Sequence, residues 1–192
     1  METLPRVLAL NISGMPDKWL NYEDTACYYA KGLVAWDMAP ITFDLHGGIN
    51  AKTGKQSILT INTIIAVKGK ITERRLKKTQ YVPLENRALF GRDRHVCAYC
   101  GHKMSESLLT RDHIKPKAQG GLDLWMNVVT ACKSCNQYKD RRTPEEAGMQ
   151  LIYVPYVPNK SEWLILKNRR ILVDQMDFLM QSVPKHSRLH EN

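Results

Sequence analysis

Long apolar runs are missing from this 192-residue chain, and no stretch reaches the length of a membrane span. The first ten residues hold a proline, an acid and only a short apolar run, which is not the layout of an export signal. A soluble cytoplasmic protein with no membrane partner is therefore expected. Internal repeats and low-complexity tracts are absent as well. With 43% hydrophobic and 8% aromatic residues, the chain has enough apolar material for a real core and too much for disorder. A phosphate-binding loop is also lacking: Gly54-Lys55 is followed by Gln56, and the spacing from Gly48 is one residue too long. Acids are scarce relative to bases, 19 against 28, for a net charge of +9. That balance favours a polyanionic partner. Cysteine is sparse too, with five in all.

Three segments differ in texture: 1–82, 83–143 and 144–192. The first reads as a small α/β lobe. Val7–Leu10, Val34–Met38 and Ser57–Val67 have the apolar, β-branched texture of strands. Asn21 to Ala30 reads as a helix with Asn21 as N-cap and Gly32 as its stop. A basic linker follows, with Lys68, Lys70, Arg74, Arg75, Lys77 and Lys78; it suits a solvated face and a phosphate-tracking patch equally. The last segment opens on Thr143-Pro144-Glu145-Glu146, a helix-start signal cut short by Gly148. Trp163–Gln181 reads as a terminal helix or strand-helix pair, and Pro184–Asn192 as a frayed end.

Four cysteines form two C-x-x-C pairs, Cys97/Cys100 and Cys132/Cys135. Four thiolates satisfy a tetrahedral Zn²⁺ with no open position, so the expected metal holds shape and does no chemistry. The 31 residues between the pairs exceed zinc-ribbon spacing, so a folded element must lie between them. Cys27, beside Ala26 and Tyr28, is expected to be a buried small hydrophobe.

Between the pairs, Leu108 to His113 reads as a strand that Pro116 ends, and Gly120-Gly121 as a loop. Asn127–Thr130 reads as a second strand, and Cys132 to Arg141 as a short helix with a basic face. Residues Cys97, Cys100, Asp112, His113, Asn127, Cys132, Cys135, Asn136 and Lys139, with the Gly120-Gly121 loop, fall in the order Cys-x-x-Cys, Asp-His, Asn, Cys-x-x-Cys-Asn-x-x-Lys. In this the chain resembles the HNH endonuclease family, clearly over Arg92 to about Arg142 and more loosely over Val7–Asn11 and Thr143–Met149. The resemblance implies an α+β fold with a ββα-metal, treble-clef-like core, a small N-terminal α/β lobe and a C-terminal helical extension. It implies a metal-dependent enzyme of a bacterial or phage-infected cell that hydrolyses DNA, double-stranded by preference, as a homodimer if both strands are cut. His113 would be the general base, Asn127 an organiser that ties the loop down and helps position His113, and Asp112 with Asn136 the holders of a divalent cation. Many members carry His where this chain has Asn136. An amide oxygen is a harder ligand than imidazole, so with the Asp112 carboxylate it favours Mg²⁺ or Mn²⁺. Lys115, Lys139, Arg141 and Arg142 are the expected phosphate contacts.

Two rival readings share these features. A zinc-stabilised nucleic-acid-binding module would use the same knot and charge, but it has no need of Asp112, His113 and Asn136 together. An RNA-directed nuclease would share the phosphate chemistry. Tyr99, Trp125 and Tyr138 are too few to indicate a stacking groove.

Overall fold

The computed structural model describes residues 6–38, 40–69 and 82–190. The fold is mixed α+β. Its elements are β1 (Val7–Leu10), β2 (Pro16–Leu20), α1 (Tyr22–Ala30), β3 (Val34–Asp37), β4 (Thr42–Ile49), β5 (Gln56–Asn62) and β6 (Ile64–Val67). They continue with α2 (Asn86–Arg92), β7 (Leu109–His113), β8 (Val128–Cys132), α3 (Lys133–Lys139), α4 (Lys160–Lys167) and α5 (Val173–Met180). Among the described residues no helix is long and apolar enough to cross a membrane. The chain divides into two compact units, Met1–Gln80 with Asn168–Val183, and Tyr81–Lys167 with Pro184–Asn192. Of the basic linker, Lys68 is exposed; Lys70, Arg74, Arg75, Lys77 and Lys78 lie outside the described residues.

In the first unit four strands form a sheet in the order β2-β1-β6-β3, with β1 and β6 parallel. All four residues of β1 and of β6 are buried, as expected of short apolar strands in the middle of a sheet. α1 begins where its cap predicts: the Asn21 side chain accepts from the Asp24 N–H at 2.7 Å. Cys27 is exposed, not buried; the inward position of α1 is Thr25. The strand expected over Ser57–Val67 is two strands. β5 pairs with β4 in a separate antiparallel ribbon, and the chain then bends at Thr63 to enter the sheet as β6. Partners from distant sequence fix that bend. The Thr63 carbonyl accepts from Leu8 N at 2.8 Å and from Gln175 Nε2 at 2.9 Å, and its hydroxyl donates to Asp174.

In the second unit β7 and β8 form an antiparallel hairpin pairing Leu109 with Cys132 and His113 with Val128, and α3 follows β8 directly. A buried arginine holds this hairpin to α2. The Arg92 guanidinium donates to the carbonyls of Trp125, Tyr156 and Val128 at 2.8–2.9 Å, and pairs with both oxygens of Asp93. It also stacks 5.4 Å from the Trp125 ring centroid and 5.6 Å from that of Tyr156. Asp93 in turn accepts from the Thr130 N–H at 2.8 Å.

The Thr143 helix start closes only a single turn. Thr143 and Glu146 exchange the two capping hydrogen bonds, but Gly148, at φ +66°, ends the turn before a helix can propagate. Residues 184–190 are tied down rather than frayed. Ser187 is buried and donates to the buried Glu162 at 2.6 Å, and Arg188 lies over the Tyr153 ring.

Removing the guanidinium would leave Asp93 with the more distant Arg188, at 3.9 Å, as its counter-charge, and would unpair the carbonyls of Trp125, Val128 and Tyr156. Arg92→Ala should destabilise this unit by about 3–5 kcal/mol, read as a lower urea midpoint. An unchanged midpoint would show that the pair does not hold the hairpin.

Candidate active site and metal centre

The four thiols converge from the two ends of the motif. Cys97 and Cys100 flank a knuckle closed by Gly101 N–H to the Cys97 carbonyl and by Cys97 N–H to the His102 carbonyl, both 3.0 Å. Gly101 turns it at φ +73°, a conformation that favours glycine. Cys132 ends β8 and caps α3, its sulfur accepting from the Cys135 N–H at 3.3 Å. All four sulfurs lie within 4.8 Å of one another. Tetrahedral bonds of about 2.3 Å require sulfurs about 3.8 Å apart, so the cluster could hold a zinc ion with little adjustment.

The thiols already behave as a set. Burial pushes Cys97 up, but backbone N–H groups of Cys100, Cys132 and Tyr99 outweigh it and hold the thiol below its ordinary value. Burial, then the neighbouring sulfurs, push Cys135 well up, and burial leads the rise at Cys100. One thiolate thus forms first and opposes the ionisation of its neighbours, which a cation would reverse.

The Asp-His pair ends β7, and strand alternation sends its two side chains to different partners. Asp112 is 4% exposed. Its Oδ2 accepts from the Tyr99 hydroxyl, and its Oδ1 pairs with Lys139 Nζ at 3.0 Å. Burial and then this carboxylate push the Tyr99 phenol far up, so it remains a donor. Asn136, one turn before Lys139 on α3, donates from Nδ2 to Thr110 Oγ1 at 2.9 Å. On the other side His113 Nε2 lies 2.8 Å from Asp123 Oδ1. Asp123 also binds Lys117 at 2.8 Å and Arg111 at 3.2 Å. Lys117, then His113 and Arg111, hold its carboxyl well below the usual carboxylate range. Asp112, His113, Asn136, Lys139 and Arg141 all line one open cleft of about 340 Å³, together with Arg111, Lys117 and Asp140.

Asn127 does not reach this cleft. Its amide accepts from Lys115 N and donates to the carbonyls of Lys115 and Leu122, stapling the loop between the strands. Gly121 is required there, since a Cβ would lie 1.7 Å from the Lys115 carbonyl oxygen. Of the expected phosphate contacts, Lys115 and Arg141 are exposed. Arg142 is exposed but folds back on α3, donating to the Tyr138 carbonyl at 2.5 Å and lying over that ring. Lys139 sits elsewhere than expected: it is 1% exposed and faces Asp112, because position 139 lies on the inner side of α3.

Sequence reasoning missed Asp123, Arg111, Lys117 and Thr110, and the link from Tyr99 to Asp112. A signal for Asp123 existed: it is the single acid between Asp112 and Asp140, in a loop carrying Lys115 and Lys117.

Because Cys100 and Cys135 stay protonated without a cation, zinc uptake by metal-free protein should release protons and weaken as pH falls. Calorimetry in buffers of differing ionisation enthalpy reads this directly. Uptake without proton release would contradict the thiolate site. Cys132→Ser, which removes one thiol of the cluster but leaves a hydroxyl able to cap α3, should abolish cooperative unfolding of this unit.

Among curated proteins no match to this chain is found. Residues 97–152 match the family described as HNH endonuclease. The matched span contains both cysteine pairs, Asp112, His113, Asn127 and Asn136. The cysteine cluster and the core of the cleft thus lie in the part of this chain that matches the HNH endonucleases, enzymes whose substrate is nucleic acid.

Proposed function

We propose that this chain is a metal-dependent endonuclease that hydrolyses DNA phosphodiester bonds, double-stranded by preference, with His113 as general base. Residues 83–143 carry the chemistry in a ββα-metal core, and 1–82 and 144–192 shape target choice. One observation carries the reading: within the family-matched span, a carboxylate-held imidazole, the buried Asp112 and the half-buried Asn136 line the same cation-rich cleft.

A hard divalent cation suits Asp112 and Asn136. Asp112 Oδ1 already faces a cation, the Lys139 ammonium, which marks the position as one where positive charge is favoured. Asn136 commits its amide nitrogen to Thr110, which leaves its oxygen as the ligand atom. A carboxylate and an amide oxygen form a donor set for Mg²⁺ or Mn²⁺, with water and phosphate completing it. When bound, the ion supplies charge relief on the phosphate and on the departing 3′ oxygen.

The chain's own groups do the rest. His113 takes the proton from the attacking water at the ring nitrogen that Asp123 leaves free. Arg111, Lys117 and Arg141 line the cleft and screen the approaching backbone, and Lys115 extends that charge along the loop. A single cleft attends one strand at a time, so a double break takes a second protomer or a second visit.

Zinc-loaded protein with Mg²⁺ or Mn²⁺ should convert supercoiled plasmid to nicked circles before linear DNA. His113→Ala should slow this by on the order of 10²–10⁴-fold, and Asp112→Asn should raise the metal concentration required. Undiminished cutting by His113→Ala would remove the general-base role. DNA binding without cutting in either metal would leave a zinc-stabilised binding module, and cutting of RNA alone would move the substrate class.

A further inference from the structure

Asp123 accepts three donors at once, His113, Lys117 and Arg111, although its side chain is 45% exposed. Exposed ion pairs add little to stability. The cluster therefore calls for another use, and its geometry supplies one. Asp123 Oδ1 receives both His113 and Arg111, while Oδ2 receives Lys117, so the lysine pins the carboxylate's rotation from its far side.

The backbone beneath Asp123 is anchored on both sides. Asn127 Nδ2 holds the carbonyl of Leu122 at 2.9 Å. Trp125 is buried, with its indole N–H on the Val82 carbonyl and its own carbonyl on Arg92. A carboxylate fixed in this way has a defined position before any substrate arrives.

We infer that Asp123 is the positioning residue for His113: it accepts the Nε2–H, fixes that tautomer, and turns Nδ1 outward as the proton acceptor. An ionised carboxylate can only accept, so the hydrogen in the 2.8 Å contact belongs to the imidazole. The depressed titration of Asp123 keeps it in that form through the neutral range. The inference rests on the nuclease reading of the cleft, and it gives Asn127 an indirect route to His113, through Leu122 and the Asp123 loop.

The test uses the full zinc-loaded chain and Asp123→Ala and Asp123→Asn. The first readout is the ¹⁵N signature of the neutral His113 ring, assigned with His113→Gln. Wild type should show the Nε2–H tautomer, and Asp123→Ala should lose that bias. The second is steady-state cleavage of a labelled DNA duplex. Asp123→Ala should lower kcat by on the order of 10²-fold or more, with KM within about threefold of wild type. Should Asp123→Ala fail to fold, Asp123→Asn keeps the shape without the charge and should still lower kcat. An imidazole signature unchanged by the substitution overturns the inference. So does a raised KM at constant kcat, which would make Asp123 an organiser of the phosphate-binding cations alone. If wild-type protein cuts no DNA, the nuclease reading fails by itself, and the ring signature still decides whether Asp123 sets the tautomer.

Discussion

A guanidinium taken out of water needs a partner for every N–H, and Arg92 finds its partners in three separate stretches of chain. It holds the carbonyls of Trp125 and Val128, which bracket the start of β8, and that of Tyr156 in the segment leading to α4. Asp93 neutralises the charge and reaches the Thr130 N–H inside β8. Such a pair adds little net free energy over a well-packed apolar substitute, since desolvation offsets much of the attraction. What it adds is uniqueness: only one placement of β8 against α2 satisfies all of these bonds. The register of β8 decides in turn which residues of β7 meet α3.

The thiol cluster and the cleft are therefore one construction. Cys132, Cys135, Asn136 and Lys139 fall within eight consecutive residues spanning the end of β8 and all of α3. Whatever fixes the sulfurs fixes the helix that presents Asn136 and Lys139. The other knuckle contributes as well, because Tyr99, between Cys97 and Cys100, donates its hydroxyl to Asp112. On the proposed reading, a closed thiolate site would bear on the chemistry without touching substrate, since the thiol cluster sets both the tyrosine and the helix that surround the buried carboxylate.

Signals confined to a few residues were legible in the sequence. The Asn21 cap, the two C-x-x-C pairs and the apolar runs at β1, β7 and β8 each carry their physical reason locally, and each reappears near its expected place. What stayed hidden depends on long-range partners. Thr63 lies in a β-branched run where Asn62 is the single local turn signal, and its bend is held by Asp174 and Gln175, which arrive from more than 100 residues away. Asp123 meets His113 only because the loop takes the path that Asn127 and Gly121 enforce. The family resemblance could supply the Asp-His pair, but not the carboxylate behind the histidine.

Lys139 shows most plainly why residue type underdetermines role. A lysine in a basic stretch after a metal-site helix reads as a phosphate contact, yet here it is almost wholly buried against Asp112. Burial explains the pairing: a carboxylate taken out of water is costly unless a counter-charge faces it, and Asp112 is 4% exposed. The ammonium also donates to the Arg142 carbonyl at 3.1 Å, beyond the end of α3. On the proposed reading, Asp112 would share a divalent cation with Asn136, and Lys139 would keep the Arg142 carbonyl as its second acceptor. The same buried carboxylate would then hold α3 through Lys139 before binding and serve as a ligand after it.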